Sequence, residues 1–152
     1  YQENAADFLP EFLDIYHCRE ISATLYEGIP GLLDALVESG CGLALFTNKP
    51  DRSARRCVEQ FLSRWRFSQV MAHGADLPLK PDPTGIHRIR HAEDLAVSEA
   101  LYVGDSEVDV VTARNAGVDF VGALWGFRTR EEMSAAGATV LANTPEEVMS
   151  ML

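Results

Sequence analysis

The stretch that decides the fold is LYVGDSEVDV, residues 101–110. It begins with three apolar residues, the length of a short buried strand, and this run ends at Gly104. Three carboxylates follow at once, those of Asp105, Glu107 and Asp109. Because like charges repel at such short range, their clustering beyond the end of a strand predicts a partner that offsets the repulsion.

The rest of the chain repeats this pattern of a short apolar strand followed by a helix. Apolar runs of strand length lie at residues 42–47, 69–72, 100–103, 120–124 and 138–141. Apolar residues at helical spacing separate these runs, and an earlier helical pattern covers residues 4–17. Strands that alternate with helices over short links predict an α/β fold, a Rossmann-like doubly wound parallel sheet with helices on both faces.

Local signals predict several helix boundaries. A helix over residues 107–116 is expected to end at Gly117, since glycine readily adopts the left-handed conformation that closes a helix. Two capping-box patterns, TREE at 129–132 and TPEE at 144–147, predict the starts of two further short helices.

Composition limits the classes of function. The chain has 152 residues, a formal net charge of −10 and a pI of about 4.7, which argues against a nucleic-acid partner because phosphate binding needs clustered lysine and arginine. No apolar run approaches the roughly 20 residues that span a bilayer, so no membrane partner is expected. The three cysteines are widely spaced, do not form a disulfide framework, and favour a cytoplasmic location. The sequence carries no signal of oligomeric state.

Polar residues that suit a phosphate group follow two of the predicted strands. The strand at 42–47 ends in Thr47-Asn48-Lys49, and Lys80 lies in a loop that two prolines make rigid. In parallel sheets ligands bind at the carboxyl ends of the strands, so these groups are expected at one edge. A hydroxyl, backbone amides and an ammonium together predict a small phosphorylated substrate.

The carboxylates after the strand at 100–103 suit a metal ion. Asp105 and Asp109 are four residues apart and would share one face of the first helical turn. Mg²⁺ takes oxygen ligands and is usually held by one or two carboxylates together with substrate phosphate oxygens. The same carboxylates also have a purely structural explanation, because Asp105 or Ser106 could cap the helix and acidic residues are favoured in its first turn.

Taken singly, each of these elements is explained as well by a turn, a helix cap or a solvated lysine. Their order along the chain and their common edge of the predicted sheet favour a joint site. The lysines strengthen this interpretation. Of the 13 basic residues only Lys49 and Lys80 are lysines, and both fall at this edge of the predicted sheet.

The motifs TNK (47–49), KPDP (80–83) and GDSEVD (104–109), in this order, resemble motifs two, three and four of the haloacid dehalogenase-like superfamily. Within it, the segments GIPGLLDALVESGCGLALFTNKP and VGDSEVDVVTARNAGVDFVGALWG resemble the phosphoglycolate phosphatase-like branch. The resemblance extends from about residue 26 over nearly all of the remaining chain.

The resemblance implies a role for each matching residue. Thr47 and the backbone amide at Asn48 would hold the phosphoryl oxygens, and Lys80 would neutralise developing charge. Asp105 would bind Mg²⁺ directly, while Asp109 would act through water or by anchoring Lys80. The implied residues are Thr47, Lys80 and Asp105 for catalysis, Thr47, Asn48 and Lys80 for phosphate, Asp105 and Asp109 for the metal, and Lys49 and Ser106 as further candidates. Glu107 has no matching role and is expected to be exposed.

Motif one of the superfamily, an Asp-x-Asp whose first aspartate is the nucleophile, does not occur in this sequence. The resemblance therefore predicts that residues 1–24 are the remnant of a helical cap and residues 25–152 an α/β core without its first strand. In the superfamily that strand lies between those carrying Thr47 and Asp105. An upstream segment is expected to supply the nucleophile, and the 152-residue chain alone is predicted to be inactive.

The expected function is that of a Mg²⁺-dependent phosphatase, which hydrolyses a small phosphomonoester such as phosphoglycolate through an aspartyl-phosphate. Dehalogenation, phosphoryl transfer by a mutase and pyrophosphate hydrolysis remain open on the same fold. An alternative of another class is a truncated, non-catalytic binding module.

Overall fold

The computed structural model describes residues 23–74 and 76–151. Within these residues the strands are β1 Leu43–Pro50, β2 Phe67–His73, β3 Leu101–Gly104, β4 Asp119–Ala123 and β5 Leu141–Ala142. The α-helices are α1 Ile29–Glu38, α2 Asp51–Cys57, α3 Thr84–Ala92, α4 Glu107–Ala116, α5 Arg130–Ala135 and α6 Pro145–Met149. A π-helical turn, Val58–Leu62, extends α2, and a 3-10 turn, Val97–Glu99, precedes β3. The helix predicted over residues 4–17, and most of the predicted cap remnant, lie outside the described residues.

The α/β prediction is confirmed, because every pairing between the named strands is parallel. β1 pairs with β2, while β3 pairs with β4 and β4 with β5. The described strands form a two-stranded sheet, β1–β2, and a three-stranded sheet, β3–β4–β5. Helices connect the successive parallel strands, as parallel pairing requires.

The segment that begins at β3 has the boundaries that the sequence predicts. The backbone N–H of Asp109 donates to the hydroxyl of Ser106, which makes Ser106 the N-cap of α4. The helix ends at Gly117, whose φ of 71° lies in the left-handed region that glycine adopts without a Cβ penalty. The capping box at 129–132 is also formed, since Thr129 and Glu132 exchange hydrogen bonds at the start of α5.

Two local predictions near the C-terminus are confirmed only in part. The last strand is shorter and later than the predicted run 138–141, because Ala138 is buried against Met133 of α5 and pairing to β4 includes only Leu141–Ala142. The predicted start of the last helix is confirmed, since α6 begins at Pro145 directly after Thr144. Its capping box does not form, because the carboxylate of Glu147 instead accepts from the backbone N–H and side-chain amide of Asn143.

The core lies between the strands and the helices that cover them. One cluster joins β1 to α3 and α4 through residues Phe46, Leu77, Ile86, Ala113, Ala116 and Val118. On the β4 side, Val121, Met133 and Val148 are among the largest fully buried side chains and pack α5 and α6 against the second sheet. These contacts hold the carboxyl ends of β1 and β3 in place. The helices among the described residues are all too short or too polar to cross a lipid bilayer.

Candidate active site

The side chain of Lys80 contacts both β1 and β3. The ammonium Nζ lies 2.7 Å from Oδ1 of Asp109 and 3.5 Å from the backbone oxygen of Phe46 in β1. It also donates to the hydroxyl of Tyr102 in β3, at 3.2 Å. A single lysine thus connects β1, β3 and the first turn of α4.

The loop that carries Lys80 is held by the side chain of Asn48. Its Oδ1 accepts the backbone N–H of Lys80 at 2.7 Å, and its Nδ2 donates to the backbone oxygen of Lys80 at 3.2 Å. Thr47 lies in β1 between Phe46 and Asn48, and both of these neighbours contact Lys80. Thr47 is therefore next to the loop that carries Lys80. The hydroxyl of Thr47 accepts the backbone N–H of Lys49 at 3.1 Å. The sequence indicated the backbone amide at Asn48 but not the role of its side chain.

The ion pair of Lys80 and Asp109 is buried. Their side chains are only 13% and 5% exposed, and both carboxylate oxygens of Asp109 are used. Oδ1 accepts from Lys80 and, at 2.6 Å, from the hydroxyl of Tyr102. Oδ2 accepts from the backbone N–H groups of Asp105 and Ser106 and from the Ser106 hydroxyl, at 3.2, 3.1 and 2.6 Å.

These contacts set the protonation of the pair. Burial raises the pKa of Asp109, but the charge of Lys80 and the hydrogen bonds from Lys80, Ser106 and Tyr102 outweigh it and hold the pKa below its usual range. Burial, the negative charge of Asp109 and the hydrogen bond to it raise the pKa of the Tyr102 phenol far above its ordinary value. The tyrosine therefore remains a neutral donor beside an ionised carboxylate.

Asp105 is held by the loop that follows β4. Its Oδ2 accepts the backbone N–H of Phe127 at 3.1 Å. A Cβ on Gly126 would lie 2.3 Å from the Asp105 Cβ and 2.4 Å from Oδ2, so only glycine allows this approach. Gly126 ends the segment VGDSEVDVVTARNAGVDFVGALWG, but the sequence assigned no role to it or to Phe127, because their contact with Asp105 depends on the fold.

Glu107 faces away from this network and pairs with the same loop. Its carboxylate accepts two hydrogen bonds from Arg128, at 2.7 and 3.0 Å, and its side chain is about half exposed. The guanidinium fork thus fastens the loop to the first turn of α4. The three carboxylates of the opening stretch therefore have different partners: a backbone amide for Asp105, an arginine for Glu107 and a lysine for Asp109.

The carboxylates of Asp105 and Asp109 are the candidate ligands for a metal ion. The residues that the structure describes contain no group of three or more histidine, cysteine, aspartate or glutamate side chains that could hold a metal ion. Asp105 has one hydrogen bond to one oxygen, and a carboxylate has about four acceptor positions, so it retains capacity for a cation. The five donors on Asp109 occupy its acceptor positions, which favours anchoring of Lys80 over direct ligation. One carboxylate with substrate oxygens is a donor set that fits Mg²⁺.

The chain is similar in sequence to known proteins. The family model described as haloacid dehalogenase-like hydrolase matches residues 1–123. A phosphoglycolate phosphatase of Xanthomonas campestris pv. campestris is 30% identical over 142 residues, covering 92% of this chain and 64% of the relative. A phosphoglycolate phosphatase of Rhodobacter capsulatus is 39% identical over 106 residues, covering 69% of this chain and 47% of the relative.

Comparison of the fold with solved structures also finds a relative of this kind. The crystal structure of a candidate phosphoglycolate phosphatase from Lactobacillus delbrueckii subsp. bulgaricus superposes with a TM-score of 0.91 and 28% identity, covering 99% of this chain and 63% of the other. The chain thus spans about half to two thirds of the length of these relatives. Since the matching model covers residues 1–123, well over half of the sequence, the chain belongs to the haloacid dehalogenase-like hydrolase family.

Proposed function

We propose that the protein carrying this chain is a Mg²⁺-dependent phosphatase that hydrolyses a small phosphomonoester, with phosphoglycolate as the favoured substrate. The observation that carries the proposal is the buried Lys80–Asp109 pair at the ends of β1 and β3, with Asp105 on the adjoining turn. A fixed ammonium beside a carboxylate with capacity for a cation suits a group that is itself an anion and a metal ligand. The phosphoglycolate phosphatases among the sequence relatives support the choice of substrate.

The residues of the chain would divide the work as follows. The hydroxyl of Thr47 and the backbone amide at Asn48 hold oxygens of the transferring phosphoryl group, and Lys80 stabilises the charge that develops on them. Asp105 holds Mg²⁺, and Asp109 keeps Lys80 in place. Mg²⁺, when bound, supplies positive charge that stabilises the phosphate oxygens. Lys49 and Ser106 lie beside these residues, and Ser106 also acts as the cap of α4.

The nucleophile is expected from a segment outside this sequence. An aspartate there would attack the phosphorus and form an aspartyl-phosphate, while the P–O bond to the substrate alcohol breaks and the second aspartate of the Asp-x-Asp gives that alcohol a proton. Water would then hydrolyse the aspartyl-phosphate and release phosphate, with the second aspartate taking the proton of the water as general base. The strand that carries this motif would lie between β1 and β3. The division of the described strands into two sheets supports this position, as does the 37% exposure of Val103 in β3, a strand that is otherwise partly buried.

Other activities make different demands on the same residues. A dehalogenase of this fold needs no metal ion, so the retained carboxylate of Asp105 counts against it. A phosphomutase would share the phosphate and metal residues and differ in its cap. A non-catalytic binding module would keep the Lys80–Asp109 pair and lack an Asp-x-Asp upstream of this chain.

The test is an assay of the full-length protein against a panel of small phosphomonoesters, with and without EDTA. Activity that is highest on phosphoglycolate, is abolished by EDTA and falls about 100-fold or more in Asp105→Asn would support the proposal. Arg55→Met, which alters an exposed ion pair outside the site, is the matched control and should leave activity unchanged. Metal-independent turnover would contradict the proposal, as would no turnover from a protein that does contain the Asp-x-Asp.

A further inference from the structure

Tyr102 connects the two charged groups of the site, although the sequence identifies it only as an apolar strand residue. Its hydroxyl donates to Oδ1 of Asp109 at 2.6 Å and accepts from Nζ of Lys80 at 3.2 Å. Lys80 also donates directly to the same Oδ1 at 2.7 Å. Ammonium, phenol and carboxylate therefore form a closed set of three hydrogen bonds.

The direction of each hydrogen bond follows from the chemistry of the groups. A lysine ammonium can only donate and an ionised carboxylate can only accept, whereas a phenol can do both. The hydroxyl proton of Tyr102 must therefore point to Asp109, which leaves its lone pairs for Lys80. The aromatic ring adds a second restraint, because Nζ lies 5.9 Å from its centroid and 5.5 Å from that of Phe46.

The three protons of the ammonium are not held equally. The bonds to Asp109 and Tyr102 measure 2.7 and 3.2 Å, whereas the contact with the backbone oxygen of Phe46 measures 3.5 Å. This long contact is the one that a phosphate oxygen can replace at least cost. With two protons fixed, the third has a defined direction, which a lysine on its flexible four-carbon stem would not have by itself.

We propose that Tyr102 is a positioning residue, whose hydroxyl orients the Lys80 ammonium so that one of its protons is directed at the substrate phosphate. The assignment rests on the proposed phosphatase function for its consequence in catalysis. The orientation of the ammonium is a property of the protein without substrate, so it can be measured whether or not the activity is found.

The test compares Tyr102→Phe with the wild type in the full-length protein, by the ¹⁵N–¹H signals of lysine side chains. Phenylalanine keeps the ring, which packs edge-on against Phe120 at 5.9 Å, and removes only the oxygen. The signal of Lys80 can be assigned from its loss in Lys80→Met. In Tyr102→Phe its ammonium protons should exchange with water about tenfold faster. Tyr26→Phe removes a hydroxyl from a tyrosine that is 51% exposed and is the matched control, with no change expected.

Turnover gives the second measurement. Tyr102→Phe should lower kcat about tenfold with KM changed less than twofold, because the hydroxyl aids the reacting state more than binding. A tyrosine needed only for packing would instead leave the Lys80 signal and kcat unchanged, and that result would overturn the proposal.

If Tyr102→Phe does not fold, the wild type alone decides: a slowly exchanging Tyr102 hydroxyl proton with a nuclear Overhauser effect to the Lys80 ammonium supports the assignment, and its absence overturns it. If the wild type turns over no phosphomonoester while the Lys80 signal responds to Tyr102→Phe, the positioning role stands and the phosphatase function fails.

Discussion

Replacing Lys80 by methionine should destabilise the folded protein by about 3–5 kcal/mol, because it leaves the buried carboxylate of Asp109 without its counter-ion. The charged atoms are 2.7 Å apart, and the side chains are 13% and 5% exposed. At an effective dielectric constant of about 20 their attraction is roughly 6 kcal/mol, and the cost of desolvating both ions offsets part of it. Methionine keeps an unbranched apolar stem, so the loss reports chiefly on the ammonium.

The measurement is urea unfolding of the full-length protein at neutral pH, with the free energy of unfolding compared at equal m-value. Arg55→Met is the matched control, because it breaks an ion pair with Asp51 of similar length, 2.9 Å, whose side chains are 64% and 45% exposed. That change should cost about 0–1 kcal/mol. A loss in Lys80→Met as small as that of the control would refute the reasoning that burial makes this pair important.

Acid should remove the stabilisation that the Lys80–Asp109 ion pair gives to the folded protein. The pKa of Asp109 is held below its usual range in the folded protein, so its contribution is present above the unfolded value of about 4 and is lost as the pH falls through the folded value. In Lys80→Met the carboxylate loses its counter-ion and binds a proton more readily. The stability difference between wild type and variant should therefore narrow as the pH falls, and a difference that is constant over the acid range would contradict this account.

Three further substitutions test separate parts of the structure. Gly126→Ala should raise the Kd for Mg²⁺ about tenfold in calorimetric titration, since the new methyl group displaces Asp105. An unchanged Kd would contradict the assignment of Asp105 as a metal ligand. Asn48→Ala removes both hydrogen bonds to the backbone of Lys80 and should lower kcat/KM about tenfold. Steady-state kinetics equal to those of the wild type would show that the loop carrying Lys80 keeps its conformation without Asn48. Met133→Ala, at a fully buried position, should cost about 2–5 kcal/mol in urea unfolding, and a loss below about 1 kcal/mol would contradict its place in the core.

The elements that the sequence predicts best are those with a strong local signal. The helix α4 begins at a serine cap and ends at a left-handed glycine, Gly117, so both boundaries depend on neighbouring residues alone. The strand β5 is misplaced because its apolar run, 138–141, divides between a helix-packing residue and a strand. The cap of α6 fails for a similar reason, since Glu147 has a competing amide one residue before the predicted partner.

The site shows the same division between local and distant information. The motifs indicate Lys80 and Asp109, because their order along the chain and their common edge of the predicted sheet favour a joint site. The contacts that hold them come from far along the chain: the amide of Asn48 meets a backbone 32 residues away, and Phe127 reaches Asp105 across 22 residues. A short sequence pattern cannot predict these long-range contacts, because they depend on how the strands are arranged in space.

The division of the strands into two sheets has a consequence for solubility. Among the described strands β1 pairs only with β2 and β3 only with β4, so each keeps one edge of unpaired backbone N–H and C=O groups, and such edges readily pair with strands of other molecules. A strand inserted there would remove both edges at once and so protect the protein from aggregation. The strand proposed to carry the nucleophile would therefore also cover one open edge of each sheet.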